Sequence, residues 1–342
     1  MALQTSGPIS LNDIHVEAGG SSGTSASIND TDIRGLTPAS GKTINDSSGT
    51  QIDFFNFYGA TAETSLPTSG STINGQVQLK QISASTYISS GGTLRVPSNM
   101  WVWTDSTSTA ALTIDIPCTV INDGKIIGQG GNGGSYYGNL SPTAGGPAIN
   151  VTSSGVTITN SSGAYIAGGG GGGGKRQDVG DPQDSNAGGG GGAGGGTGGR
   201  GWISSHSGEN AGTLSGVGGV LNAEGSGSYH RQTNALLSDN GGGAGGGSGG
   251  TQNAGGGGGR ILPGSGGVAS SSFSWGTGGS AGNAGTGNNP TAGVSGHVWA
   301  GGGGGWGASG GNGVSQTAAG GGAAITGTSR TLSNSGTIYG ST

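Results

Sequence analysis

The chain has 342 residues, of which 88 are glycine, 29% are hydrophobic and 8% are charged, and its formal net charge is −5. This composition excludes a conventional domain built on one large hydrophobic core. The low charge argues against general disorder, which couples low hydrophobicity to high net charge. It also argues against a nucleic-acid partner, because the longest basic cluster is Lys175-Arg176.

Residues 1–60 contain a short repeat whose copies begin at Ser10, Ser27, Thr43 and Gln51. Each copy joins a brief apolar run to Asn or Asp, which favours a strand or turn over a helix. The segment ends in an aromatic cluster that is either the mini-core of a small module or a contact with a partner, since so short a segment rarely folds alone. We predict an attachment module that docks on a partner protein through Ile14, Ile33, Phe54, Phe55, Phe57 and Tyr58.

Residues 61–127 resemble ordinary β sequence. Apolar residues alternate in Val77–Ile82 and Leu94–Val96, and Trp101 and Trp103 flank Val102 on one strand face. We predict a small β domain here, with Cys118 as a buried structural thiol. No segment of the chain has an apolar run of about 18 residues, so we expect no membrane insertion.

A second repeat connects this β sequence to the glycine-rich remainder, residues 128–342. Asn122-Asp123-Gly124 separates two short apolar runs, and Asn160 to Gly163 and Asn334 to Gly336 do the same. Each copy predicts a strand, a tight turn and a second strand. The chain is therefore expected to leave a β scaffold, cross the glycine region and return to the scaffold.

Glycine occurs in this region in tracts, the longest uninterrupted one being Gly168–Gly174. Consecutive glycines exclude the Gly-X-Y period of collagen, and disorder is the simplest alternative because ordering glycine costs the most backbone entropy. Tracts of similar length would, however, form extended polyproline II rods that pack side by side through main-chain hydrogen bonds. We predict an all-β fold plus such a bundle of extended helices, polyglycine II, without significant α-helix.

The segments between the tracts carry aromatic, histidine and arginine side chains, which a flexible linker does not need. Loops that connect packed rods gather at the ends of the bundle, where such side chains form a binding surface. The alternative is that each tryptophan covers the rim of a core without other large side chains, and Trp306, inside a glycine tract, fits this role best. The candidate receptor-binding residues are Arg176, Trp202, His206, Tyr229, His230, Phe273, Trp275, His297 and Trp299.

The turns that lead into glycine runs, as in Ile126 to Gly134 and Tyr165 to Gly168, resemble those of a known family. This family comprises the glycine-rich receptor-recognition adhesins at the tail-fibre tips of T-even-like bacteriophages, and the resemblance covers roughly residues 120–342. It implies a polyglycine II domain whose connecting loops bind a bacterial outer-surface protein or glycan. It also implies a virion protein that is made in the host cytoplasm and docks on a phage tail or fibre protein. The first 60 residues depart from the family and look like short modules of other phage virion proteins.

No catalytic or metal-binding constellation is found: the four histidines lack metal-ligand spacing, and Gly41-Lys42-Thr43 lacks the first glycine of a P-loop. We therefore predict no enzyme activity, no cofactor and no metal. Three functions remain open: a tail-fibre adhesin, a structural virion protein without receptor binding, and an ice-binding protein. Ice binding predicts evenly repeated Thr or Ala on one face, which the irregular aromatic segments do not favour.

Overall fold

The fold is seen in a computed structural model. It describes residues 3–39, 41–45, 47–69, 72–73, 76–88, 90–135, 139–175, 188–199, 201–202, 213–214, 301–313, 316–327 and 329–342. The regular secondary structure of the described residues is mostly β-strand in parallel sheets, with little helix, as the fold class predicted. None of its helices is long and apolar enough to cross a membrane.

The N-terminal module is helical where strands or turns were predicted. It contains α1 (Leu11–Glu17), α2 (Thr31–Arg34) and a 3₁₀ helix (Phe54–Phe57). The prediction for the first repeat was wrong at α1 because Ser10 and Asp13 form a capping box: the Ser10 side chain accepts from the Asp13 amide, and the Asp13 side chain accepts from the Ser10 amide. The Asp13 pKa lies below its usual value because of the hydrogen bonds from the side chain and backbone of Ser10.

The strands of the remaining chain form a three-sided solenoid, into which the glycine-rich segments are inserted. Its strands, with one separate pair, are in chain order β1 (Glu63–Ser65), β2 (Thr72–Ile73), β3 (Gln76–Lys80), β4 (Ile82–Ser83), β5 (Thr93–Val96), β6 (Met100–Trp103), β7 (Leu112–Ile114), β8 (Thr119–Asn122), β9 (Lys125–Ile127), β10 (Ile149–Val151), β11 (Val156–Asn160), β12 (Tyr165–Ala167), β13 (Gly201–Trp202), β14 (Thr213–Leu214), β15 (Ile325–Thr326), β16 (Arg330–Asn334) and β17 (Thr337–Tyr339). A short 3₁₀ helix (Ala84–Thr86) follows β4.

Apart from β2 and β3, which share a sheet, successive strands of the solenoid belong to its three sheets in rotation. The first sheet has the order β1-β5-β8-β11-β16, the second β17-β12-β9-β6-β3-β2 and the third β15-β10-β7-β4. All pairs in these sheets are parallel except β2 with β3, whereas β13 and β14 form a separate antiparallel pair. Each coil of the solenoid therefore contributes one strand to each side, and the sheets join strands from both sides of residue 127.

The solenoid core is made of inward-facing residues stacked in register between coils. Leu94, Val120 and Ile158 are neighbours in the first sheet, and Val102, Ile126 and Ile166 are neighbours in the second. All six side chains are fully buried. Cys118 also lies in this core, as predicted, and burial, aided by the charge of Asp115, raises the pKa of its thiol to about 11.

The predicted strand–turn–strand repeat is present as three consecutive coils, β8-β9, β11-β12 and β16-β17. Its asparagines stack in register and form a ladder. The Asn122 amide donates to Asn160 Oδ1 over 2.8 Å, and the Asn160 amide donates to Asn334 Oδ1 over 2.8 Å. Because parallel coils place identical residues directly above one another, the side-chain amide of each asparagine donates a hydrogen bond to the side-chain oxygen of the next asparagine.

The glycine-rich sequence is inserted between strands of the second and third sheets. One insertion, residues 128–148, separates β9 from β10, and a much longer one, residues 168–324, separates β12 from β15. Both insertions leave the same side of the solenoid from adjacent coils. Their described glycine segments therefore begin side by side.

Candidate binding platform

The central glycine segment, Gly168–Gly174, exchanges main-chain hydrogen bonds with six surrounding segments. The amides of Gly169 to Gly174 donate in rotation to three of them, with N···O distances of 2.7–3.1 Å. Gly169 and Gly172 donate to Gly146 and Thr143, Gly170 and Gly173 donate to Ala193 and Gly190, and Gly171 and Gly174 donate to Ala308 and Gly311. Its carbonyls accept from the other three in the same rotation: from Gly131 and Gly134, from Ala319 and Gly322, and from Gly301 and Gly304. Every third residue thus faces the same neighbour.

The packing leaves no room for side chains on this segment. A Cβ built on any of Gly168–Gly174 would overlap a main-chain atom of a neighbouring segment, for example the Asn132 carbonyl oxygen at Gly172. All seven residues are buried. The interior of this glycine bundle is therefore made of peptide groups, which explains how the chain forms a second core with so few large apolar residues.

An aromatic cluster fastens the bundle to the second sheet of the solenoid. Trp306 is 1% exposed and packs with Tyr165 and Tyr339, whose rings stack at 5.9 Å. Trp101 belongs to the same cluster, and Trp103 packs against it, so the pair lies on one strand face as predicted. Burial raises the pKa of Tyr339, with a smaller effect from Tyr165. Trp306 thus has the structural role that its place in a glycine tract predicted.

The segments 128–134 and 168–174 start at the solenoid, where Gly128 donates to the Ala167 carbonyl and Gly168 donates to the Tyr339 carbonyl. They run side by side, with Gly131 bonded to Gly170 and Gly134 bonded to Gly173, so their last residues mark the other end of the bundle, here called the far end. The residues that flank the long intervening segments meet at this end. Gly189 donates to the Gly134 carbonyl, Gly199 donates to that of Gly189, and Gly301 donates to that of Gly174, over 2.7–3.0 Å. Residues 176–187 and 200–300 are therefore both entered and left at the far end.

All the candidate receptor-binding residues fall within these two segments. The backbone of Trp202 lies in β13, which pairs with β14. The remaining candidates lie outside the described residues: Arg176, His206, Tyr229, His230, Phe273, Trp275, His297 and Trp299. Their role in receptor binding stays a prediction.

Sequence reasoning did not single out residue 135 and residues 139–141, which lie at the far end, or the lysine that contacts them, Lys175. Lys175 is 2% exposed, and its ammonium donates to the Ser135 carbonyl over 3.2 Å and to Asn139 Oδ1. Burial lowers its pKa. The position of Lys175, directly after the longest glycine tract, was the only signal in the sequence, because its partners precede it by about 40 residues.

The predicted attachment residues divide into a buried and an exposed group. Ile14, Ile33 and Phe57 are fully buried in the core of the N-terminal module, which matches the mini-core alternative for these three side chains. Phe54 and Phe55 are 39% and 61% exposed. The Lys42 ammonium lies 4.4 Å from the centre of the Phe55 ring and 5.0 Å from that of the half-buried Tyr58, and it donates to the Tyr58 carbonyl.

The described residues contain no cluster of three or more His, Cys, Asp and Glu side chains that could hold a metal ion.

Comparison with known proteins identifies the family of this chain. Residues 61–245, more than half of the chain, match the family described as "Phage tail fibre adhesin Gp38". The chain belongs to this family. It is accordingly a bacteriophage tail fibre adhesin and a protein of the virion tail, which confirms the resemblance found in the sequence.

No curated protein matches this tail fibre adhesin. Among solved structures, it is similar to the crystal structure of the gp37-gp38 adhesin tip complex of the bacteriophage S16 long tail fibre, with 17% sequence identity, 99% of each chain covered and a TM-score of 0.40.

Proposed function

We propose that this adhesin binds a receptor on the surface of the host bacterium through the segments at the far end of its glycine bundle. The observation that carries the proposal is the position of those segments: both are entered and left at the end of a rigid platform remote from the solenoid. Binding residues are disproportionately found on loops held by a rigid scaffold. The aromatic and charged residues predicted for recognition all lie in these segments.

We also propose that the bundle consists of polyglycine II helices. An extended helix with three residues per turn directs successive amides towards three different neighbours, and the amides of Gly169–Gly174 rotate among partners in this way. The exclusion of a Cβ at each of these positions supports the same interpretation. The role of the glycines in this proposal is rigidity, and recognition belongs to the segments between them.

The N-terminal module is proposed to attach the adhesin to another phage tail or fibre protein. Phe54 and Phe55 support this assignment, because large exposed aromatic side chains are typical anchors of protein interfaces. Ile14, Ile33 and Phe57 would then shape the module from its core, and Tyr58 would support the exposed pair. An adhesin of this kind needs no chemistry of its own, and we infer no enzyme activity.

The ice-binding alternative has one observation in its favour, a row of four threonines in register along the first sheet: Thr93, Thr119, Thr157 and Thr331. The neighbouring row on the same face contains Arg95 and Ile121, so the face does not repeat a regular pattern. A purely structural virion protein requires no elaborate segments at one end of a bundle. Family membership and the placement of those segments favour the adhesin.

Receptor binding is tested with the full-length protein, fluorescently labelled, on cells of the strain that the phage infects. In one variant residues 176–187, 203–212 and 215–300 are replaced by Gly-Ser sequence, and in a control the exposed solenoid turn 105–109 is replaced in the same way. We expect cell binding to be lost in the first variant and retained in the control. Equal binding by both variants would leave the structural virion protein as the better interpretation.

A further inference from the structure

The two exposed phenylalanines of the N-terminal module are held in place from within the module. The Phe54 ring packs edge to face with the buried Phe57 ring, at a centroid distance of 6.4 Å. The Asp53 side chain accepts from the Phe55 amide over 2.9 Å, and the Phe55 ring lies 6.3 Å from that of Tyr58. Aromatic side chains that are already ordered lose little conformational entropy when a partner covers them.

Both basic side chains of the module are engaged inside it. Arg34 and Lys42 are the only Lys or Arg in residues 1–60. Arg34 is 2% exposed, and its guanidinium donates to Asn29 Oδ1 over 2.7 Å and to the Thr50 carbonyl over 2.8 Å. Lys42 is half-buried, with its ammonium 4.4 Å from the centre of the Phe55 ring. Little positive charge is therefore left on the surface of the module.

The carboxylates of the module lie on the outside. Residues 1–60 contain six Asp or Glu against two Lys or Arg, so they carry −4 of the net charge of −5 of the whole chain. Among the described residues, Asp13, Asp32 and Asp53 are exposed, and Glu17 and Asp30 are half-buried. Because the cations are inside and the carboxylates outside, the described surface of the module is acidic.

This charge distribution restricts the kind of partner that can cover Phe54 and Phe55. A typical interface has an apolar centre with a polar rim, and its two sides carry complementary potentials. A second copy of the module would bring two acidic surfaces together, and an anionic lipid surface would be repelled in the same way. The partner that fits has an apolar pocket for two aromatic rings, surrounded by Lys and Arg side chains.

We propose that the module docks on a basic surface of a phage tail or fibre protein, with Phe54 and Phe55 in an apolar pocket and the exposed carboxylates opposite Lys and Arg side chains. This inference rests on the proposed attachment function, and it adds the chemistry of the partner. It is carried by the module's own residues, which lie outside the family match over residues 61–245.

The electrostatic part is tested with purified, fluorescent, full-length adhesin and phage particles produced without it, by measuring the rate at which the particles take up the protein. Raising the salt concentration from about 20 mM to about 500 mM should slow uptake by about tenfold, because salt screens the attraction between opposite charges. An uptake rate that does not change with salt would overturn the inference.

A double substitution, Asp13→Asn with Asp32→Asn, assigns the salt dependence to the module. Asn keeps the oxygen that accepts from the Ser10 amide at position 13, so α1 retains its cap. The variant should be taken up more slowly at low salt and should respond less to added salt. The control, Asp105→Asn with Asp115→Asn, removes two carboxylates from the solenoid and should behave as the wild type. Equal uptake by the two variants would contradict the proposal.

The aromatic part is tested with Phe55→Ser, measured as the rate at which bound adhesin leaves the particles. We expect release to become about tenfold faster or more, because a buried aromatic anchor acts after the encounter. Leu140→Ser, at a leucine of the bundle that is 60% exposed, is the matched control and should release at the wild-type rate. Unchanged release by Phe55→Ser would overturn the inference.

Two further outcomes separate the inference from the proposed function. If particles do not take up the wild-type adhesin, the proposed attachment itself fails. If uptake is normal but the variants behave as the wild type, only the inference fails. Self-association of the free adhesin that Phe55→Ser abolishes would identify a second copy as the occupant and would also overturn the inference.

Discussion

At the scale of single residues, Asn160 links three coils of the solenoid. Its side chain accepts from Asn122 and donates to Asn334 and, over 3.3 Å, to the Thr337 carbonyl. It is fully buried, so water cannot replace these partners. One side chain thereby satisfies polar groups of the coils before and after its own, at the turns between the first and second sheets.

Replacing Asn160 with Ala should lower the free energy of unfolding by about 2 kcal/mol, because buried polar partners are left unsatisfied. Asn334→Ala is the control, since Asn334 ends the ladder and is exposed. Asn334→Ala should lower the free energy of unfolding by well under half as much as Asn160→Ala. Denaturant unfolding, followed by tryptophan fluorescence, measures both values. Equal decreases in the free energy of unfolding for the two variants would contradict the expectation that burial makes the hydrogen bonds of Asn160 more important.

At the scale of elements, the glycine segments replace side-chain packing with main-chain packing. In an ordinary sheet a strand has two hydrogen-bonded neighbours, whereas Gly168–Gly174 has six. This density is possible only because no Cβ separates the backbones. The same property makes the segment intolerant of change, since its neighbours are backbone and cannot rotate away.

Gly172→Ala should therefore destabilise the bundle by about 3 kcal/mol or more, because the added Cβ meets the backbone of Asn132 and strains a packed interior. Gly320→Ala offers a matched control in the bundle, where an added Cβ meets no atom within 4 Å. Thermal unfolding, followed by near-ultraviolet circular dichroism of the tryptophans, compares the two. Similar stabilities for both variants would indicate that the tracts are not packed as described.

At the scale of the whole molecule, local and repeated signals made much of the fold predictable. The Asn-x-Gly turns predicted paired strands, and the glycine tracts predicted a core of main chain because side chains were missing from them. The spacing of Ser10 and Asp13 is typical of a helix N-terminus and indicated α1. The repeat as a whole, a brief apolar run joined to Asn or Asp, led instead to the prediction of a strand or turn. The rotation of strands among three sheets was not predictable, since it depends on pairing between coils that are far apart in sequence.

The candidate site was predictable only as a set of segments. Aromatic residues between glycine tracts indicated which parts of the chain to examine, but not that both long segments would start and end at one end of the bundle. Lys175 shows why: its hydrogen bonds to Ser135 and Asn139 exist only after two glycine segments have packed side by side. Contacts of that kind have no signature in the local sequence.

The central claim is that the bundle supplies rigidity while the segments at its far end supply recognition. The most direct measurement is the adsorption of phage particles whose adhesin carries residues 176–187 and 200–300 from a family member with a different host. We predict that adsorption switches to the donor's host, while the solenoid, the bundle and the N-terminal module remain those of this chain. Adsorption that stays with the original host would contradict the account.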